Sequence, residues 1–176
     1  MADADQPSID DELAAIAAVA ATGDLDAAHR RAVALADTYR DDRRAQVAAA
    51  GACDRLGRAR EAVGYYAAAW QLGGPVGAAR PGFLLGYGAA LRAVGRHDDS
   101  IAILGQAALE HPDHAALRAF LALSLHAAGH ATLALATMLD AGLDAAPQAF
   151  APHRRELTRC LRELQDVAMA DPAQPA

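Results

Sequence analysis

Four glycines limit what this chain can fold into. Gly23, Gly57, Gly95 and Gly129 are separated by 34, 38 and 34 residues. Each lies between two stretches whose apolar residues keep three-and-four spacing. Around Gly95, Leu84, Tyr87, Gly88 and Leu91 keep it before the glycine, and Ile101, Leu104, Ala108 and Leu109 after it. This spacing predicts two helices meeting at a sharp turn. A pair of half-apolar helices cannot bury both faces alone, so successive copies must cover one another.

Aligning the copies on the glycine brings small residues into register. Seven places before it stand Ile16, Ala50, Gly88 and Ala122; five places after it, Ala28, Ala62, Ser100 and Ala134; twelve places after it, Leu35, Ala69, Ala107 and Ala141. Large apolar residues, Tyr66, Leu104 and Met138, fall nine places after three of the turns. Helices of a pair approach closely only where side chains are small, and larger ones there would cost about 1–3 kcal/mol by overpacking.

In chain order, residues 1–7 are expected to be disordered. Ser8 and Asp11 form a capping-box pattern that starts a first helix to about Ala21, with Leu13, Ile16, Ala17 and Val19 as its apolar side. A second helix runs from about Leu25 to Tyr39. Asp41 or Asp42 caps a third that reaches about Arg55, and a fourth spans Ala59 to about Leu72. The Gly/Pro-rich segment Gly73–Gly82 takes up the four extra residues of the longer interval. The pair from Phe83 to Pro112 follows, then helices over Ala115–Ala128 and Thr132–Gly142. Pro147 separates a last helix at about Pro152–Met169.

Composition narrows the class. Ala dominates, and Ala is the best helix former; period-two runs of β-branched and aromatic residues are absent, so no sheet is expected. The 176 residues carry a formal charge of −6, with every basic residue an Arg and no Lys or Asn. An acidic chain without a dense basic stripe argues against nucleic acid as the main partner. No apolar run reaches the ~18 residues that span a bilayer, and the acidic N-terminus lacks the basic and apolar regions of a signal peptide. Two distant cysteines, Cys53 and Cys160, suit a reducing compartment and form neither a disulfide framework nor a zinc pattern. The expected location is cytoplasmic.

The glycine period of ~34 residues, the aligned small positions and Pro112 seventeen places after the third turn resemble the tetratricopeptide repeat (TPR) superfamily. The segments LGYGAALRAVGRHDDSIAIL and HPDHAALRAFLALSLHAAGH are similar to a group of small bacterial proteins of that superfamily, known mainly as interaction modules. The resemblance implies an all-α, right-handed superhelix of about four helix-turn-helix hairpins plus a C-terminal capping helix. Its units are about 8–40, 41–74, 81–113 and 114–147, within an array over 8–147. The cap is 148–169 and the tail 170–176 is loose. The first unit is degenerate, as terminal repeats are.

The resemblance also implies a concave face lined by the first helix of each pair. On it fall Arg44, Val47, Ala48, Gly51, Asp54 and Arg55 of the second unit, Leu85, Ala89 and Arg92 of the third, and Phe120, Leu123 and His126 of the fourth. This would be an apolar face with a few charges, on which Arg55 and Arg92 can meet a peptide carboxylate; a merely solvated face is the competing reading. The chaperone-binding branch clamps a terminal carboxylate with Asn and Lys, and this chain has neither.

Other patterns carry less. His126 and His130 have metal-ligand spacing, but Gly129 breaks their shared face, and His111 and His114 flank another turn. Cys53 is expected to be a buried small residue. Cys160 lies among Arg154, Arg155, Arg159 and Arg162, which can activate a thiol, yet it also belongs to the stripe Leu157, Cys160, Leu161 and Leu164. Gly82, Gly86 and Gly88 have no preceding strand and no Lys, which excludes a phosphate loop. No catalytic constellation, metal site or cofactor site is expected. The sequence reading is therefore a non-catalytic scaffold for a protein or peptide partner. The alternative is a homodimerising structural module, joined through the last helix or the Gly73–Gly82 loop.

Overall fold

The computed structural model describes residues 8–170; residues 1–7, expected to be disordered, and 171–176 of the tail lie outside the described residues. The described residues form nine α-helices and no strand. They are α1 (Ile9–Ala21), α2 (Leu25–Thr38), α3 (Arg43–Arg55), α4 (Ala59–Gln71), α5 (Arg80–Ala93), α6 (His97–Glu110), α7 (Ala115–Ala127), α8 (Ala131–Ala145) and α9 (Arg154–Ala170).

The four turn glycines hold φ values of +89°, +69°, +82° and +94°, the left-handed region that favours glycine. After α3, α5 and α7 the turn is the same hydrogen-bonded device. The residue after the glycine donates to the carbonyl five positions back, as in Arg58 N to Cys53 O at 2.9 Å, Arg96 N to Leu91 O at 3.0 Å and His130 N to Leu125 O at 2.9 Å. This closes orphan carbonyls at each helix end. The capping box forms as expected, with the Ser8 hydroxyl accepting from Asp11 N and the Asp11 carboxylate accepting from Ser8 N. Of the two candidate caps of α3, Asp42 serves, accepting from Arg44 N at 2.8 Å.

All twelve aligned small-residue positions are buried. Several stripe assignments change, however. Ala17 is exposed on α1. On α6 the buried line is Ser100, Leu104 and Ala107, while Leu109 is 85% exposed. Five residues advance a helix by about 140° from Leu104, which carries Leu109 off the core face. Met138 is 39% exposed at the rim of α8. The segment after α4 is shorter than expected: a 3₁₀ turn at Gly77–Ala79 leads into α5, which starts at Arg80 rather than Phe83. Helix α8 runs on to Ala145, past the expected Gly142, and α9 extends to Ala170.

The chain divides into two compact units, with the boundary inside α5 between Ala90 and Leu91. In the first, α1 packs on α2, α2 on α3, α3 on α4, and α1 also on α3. Its core is largely alanine: Ala32, Ala36, Ala45, Ala49 and Ala52 with Ile16 and Leu35. Buried Gln46 donates to the carbonyls of Ala36 and Arg40 at 3.1 and 3.2 Å, which satisfies the C-terminal end of α2. An aromatic cluster binds α4 to the start of α5. Tyr66 meets Phe83 edge-on at 5.4 Å and stacks on Tyr87 at 5.6 Å, and Arg80 lies over Trp70.

In the second unit α6 packs on α7, α7 on α8 and α8 on α9. Buried Ser100 and Ser124 stand 2.8 Å apart, and Ser124 donates to the Phe120 carbonyl. Arg118 of α7 bridges Asp140 and Asp144, one turn apart on α8, at 2.9 Å each. Leu157, Leu161 and Leu164 of α9 cover Ala136, Leu143 and Phe150. The other side of α9 is exposed and charged, with Arg159 paired to Glu156 and Glu163.

Candidate functional site

None of the ten residues assigned to a partner-binding face is buried. In the first unit, Arg44, Val47, Asp54 and Arg55 stand on α3, and Leu85 and Ala89 on α5. Two of these have their charges engaged by other residues of the chain. Arg44 reaches Asp10 at 2.7 Å and Asp42 at 2.8 Å, and its guanidinium holds the Asp42 carboxyl below the usual range. Asp54 accepts the Tyr66 hydroxyl at 2.5 Å. Burial raises the Asp54 carboxyl, while the hydrogen bond and nearby Arg55 pull it back down. Gly51 leaves the α3 surface bare, and the Arg55 guanidinium lies over it, 3.6 Å from where a Cβ would stand.

In the second unit, α7 presents Phe120, Leu123 and His126 at three-residue intervals. Phe120 is half-buried, His126 is exposed, and Leu123 is 42% exposed. Arg92, in the last turn of α5, is half-buried. Its Nε is shielded from solvent and meets no acceptor among the described residues. A buried donor left unfilled is costly, about 1–3 kcal/mol, and an incoming acceptor would recover that.

Cys160 is half-buried on α9, whose Leu157, Leu161 and Leu164 pack toward α8. Cys53 is fully buried, as expected, and burial with the nearby Glu61 charge pushes its thiol up to about 11. What the sequence reading missed is its company. Within the first unit, His29 of α2, Cys53 of α3 and Glu61 of α4 bring their ligand atoms within 4.8 Å of one another. Their separations of 24 and 8 residues match no metal motif, so only the packing of three helices reveals the group.

The described residues define a class: an all-α repeat protein of helical pairs, turned at glycines in constant register, whose exposed residues lie on helix faces. A family model for the Tetratrico peptide repeat matches residues 43–164. The chain belongs to that family. Such repeats are protein-interaction modules, which makes a protein the family-level partner. No curated protein matches the chain. No described helix is long and apolar enough to cross a membrane.

Proposed function

We propose that this chain is a non-catalytic scaffold that holds a peptide segment of a partner protein against the first helices of its pairs. The observation that carries this reading is the Arg92 Nε, buried and without an acceptor among the described residues. A shift of the half-buried Arg92 side chain opens Nε to a partner carboxylate or backbone carbonyl, which supplies what that donor lacks. Arg92 then acts with Phe120, Leu123 and His126 of the second unit, where Leu123 contributes apolar area already exposed to water. Val47, Arg55, Leu85 and Ala89 hold the corresponding repeat positions in the first unit, where Arg44 and Asp54 are already paired.

The expected result for Arg92→Glu is capture of the partner about 10–100-fold weaker, the size of a lost charge-assisted hydrogen bond. Leu123→Asp should weaken it similarly, with helicity and melting unchanged for both. Partner capture that survives both substitutions places the binding surface elsewhere.

A second reading has its own support. Val167 and Met169 on α9 are 58% and 88% exposed, two large apolar residues left open near the C-terminal end of that helix. A second copy of the chain is the occupant this reading assigns to them. Light scattering across a concentration series then shows a dimer that Val167→Asp dissolves; a monomer at every concentration removes the reading.

A further inference from the structure

We propose that His29, Cys53 and Glu61 form a binding site for a divalent zinc ion, joining α2, α3 and α4 within the first unit. The site is independent of the partner-binding face.

The three side chains supply one imidazole nitrogen, one sulfur and one carboxylate oxygen, the set that zinc prefers. His29 Nε2 stands 3.3 Å from Glu61 Oε2, and Cys53 Sγ stands 4.0 Å from the same oxygen. Around a tetrahedral zinc, a nitrogen and an oxygen ligand lie about 3.3 Å apart and a sulfur and an oxygen about 3.6 Å. The nitrogen and oxygen are already at that separation; the sulfur is a few tenths of an ångström too far from the oxygen and lies within 4.8 Å of the nitrogen, and side-chain rotation on binding closes the rest. His29 and Cys53 are 8% and 0% exposed, so both are fixed by packing. Glu61 is half exposed at its side chain and gives the ion a way in from solvent. A water from that side completes four ligands.

Charge also balances. A thiolate and a carboxylate neutralise a divalent ion, so the filled site buries no net charge. Arg58 lies 3.7 Å from Glu61 Oε1 and 3.8 Å from Asp26, so it holds the carboxylate by the oxygen the metal does not use. Without a metal, a thiol 4.0 Å from a carboxylate is a weak contact for a fully buried group. Zinc binding releases the Cys53 proton to solvent and forms a sulfur–metal bond in its place, with no change of oxidation state.

The test is titration of the chelator-treated full chain with Co²⁺, followed by Zn²⁺. The expected result is one equivalent of Co²⁺ with a thiolate-to-cobalt charge-transfer band, which Zn²⁺ displaces. Zinc should also slow the reaction of Cys53 with a thiol reagent at least ~10-fold. Cys53→Ser should abolish the band and Cys160→Ser should keep it. His29→Gln and Glu61→Gln should each weaken zinc binding by more than the ~10–100-fold typical of losing an outer-shell partner. If Cys53→Ser does not fold, Glu61→Gln decides, because its side chain is half exposed. Cobalt bound without a sulfur band, a band that follows Cys160, or zinc affinity indifferent to Glu61→Gln would each overturn the site.

Discussion

Gly86→Ala is expected to destabilise the first unit by about 3 kcal/mol, an unusually large loss for one added methyl group. The new Cβ would lie 2.2 Å from the Tyr66 hydroxyl oxygen, 2.9 Å from its ring carbon Cζ and 3.1 Å from an Asp54 carboxylate oxygen. Retreat is blocked. The Tyr66 ring is 5% exposed and held between Phe83 and Tyr87, and its hydroxyl donates to Asp54 at 2.5 Å. Moving the ring breaks the aromatic packing and leaves a partly buried carboxylate without its donor. Gly86 has ordinary helical φ, so backbone strain plays no part; the effect is steric. Thermal unfolding of the purified variant measures it. A shift in melting under 1 °C would mean that the Tyr66–Asp54 pair does not sit over the α5 backbone. Tyr66→Phe combined with Gly86→Ala should recover part of the loss, since the clash is with the hydroxyl.

The second large effect belongs to the second unit. Leu104→Ala should cost about 3 kcal/mol, within the ~2–5 kcal/mol range for removing a fully buried leucine. Leu109→Ala, on the same helix, should cost less than about 0.5 kcal/mol. The two are alike in residue type and in helical surroundings; they differ in exposure, 0% against 85%. Denaturant midpoints of the pair therefore test the helical register itself. Equal losses would mean that α6 presents a different face to α7.

The comparison of Leu104 and Leu109 also shows how far the sequence can be read. The turn glycines were legible because a left-handed backbone position leaves a residue type behind, and Gly23, Gly57, Gly95 and Gly129 recur at intervals of 34, 38 and 34 residues. The aligned small residues were legible for a related reason: close helix approach excludes bulk. Individual stripe members were harder. Leu109 reads as apolar whatever it faces, and Ala17 is small enough to be tolerated on either side of α1. The start of α5 at Arg80 was hidden by the Gly and Pro around it, although a proline in the first helical turn is a common arrangement.

The candidate sites were legible in proportion to how local they are. Leu85, Ala89, Phe120, Leu123 and His126 were assigned from repeat position alone, and the structure leaves each at least partly open to solvent. The engagement of Arg44 with Asp10 and of Asp54 with Tyr66 was invisible, because each joins residues on different helices. The same holds for His29, Cys53 and Glu61. A signal did exist in Gly86: a glycine inside a helix costs about 1 kcal/mol relative to alanine and so points to a close neighbour.

The central claim, that partners dock on the first helices of the pairs, is tested most directly by site-specific photo-cross-linking. A photoreactive residue placed at Leu123 on α7 is compared with one at Leu135 on α8, in the full chain and in extract of the native host. Both leucines are exposed, at 42% and 57%, so chance encounters label them equally. A partner protein cross-linked from position 123, lost in the Arg92→Glu background and absent from position 135, is the predicted result. The same partner cross-linked from 135 and not from 123 would contradict the account.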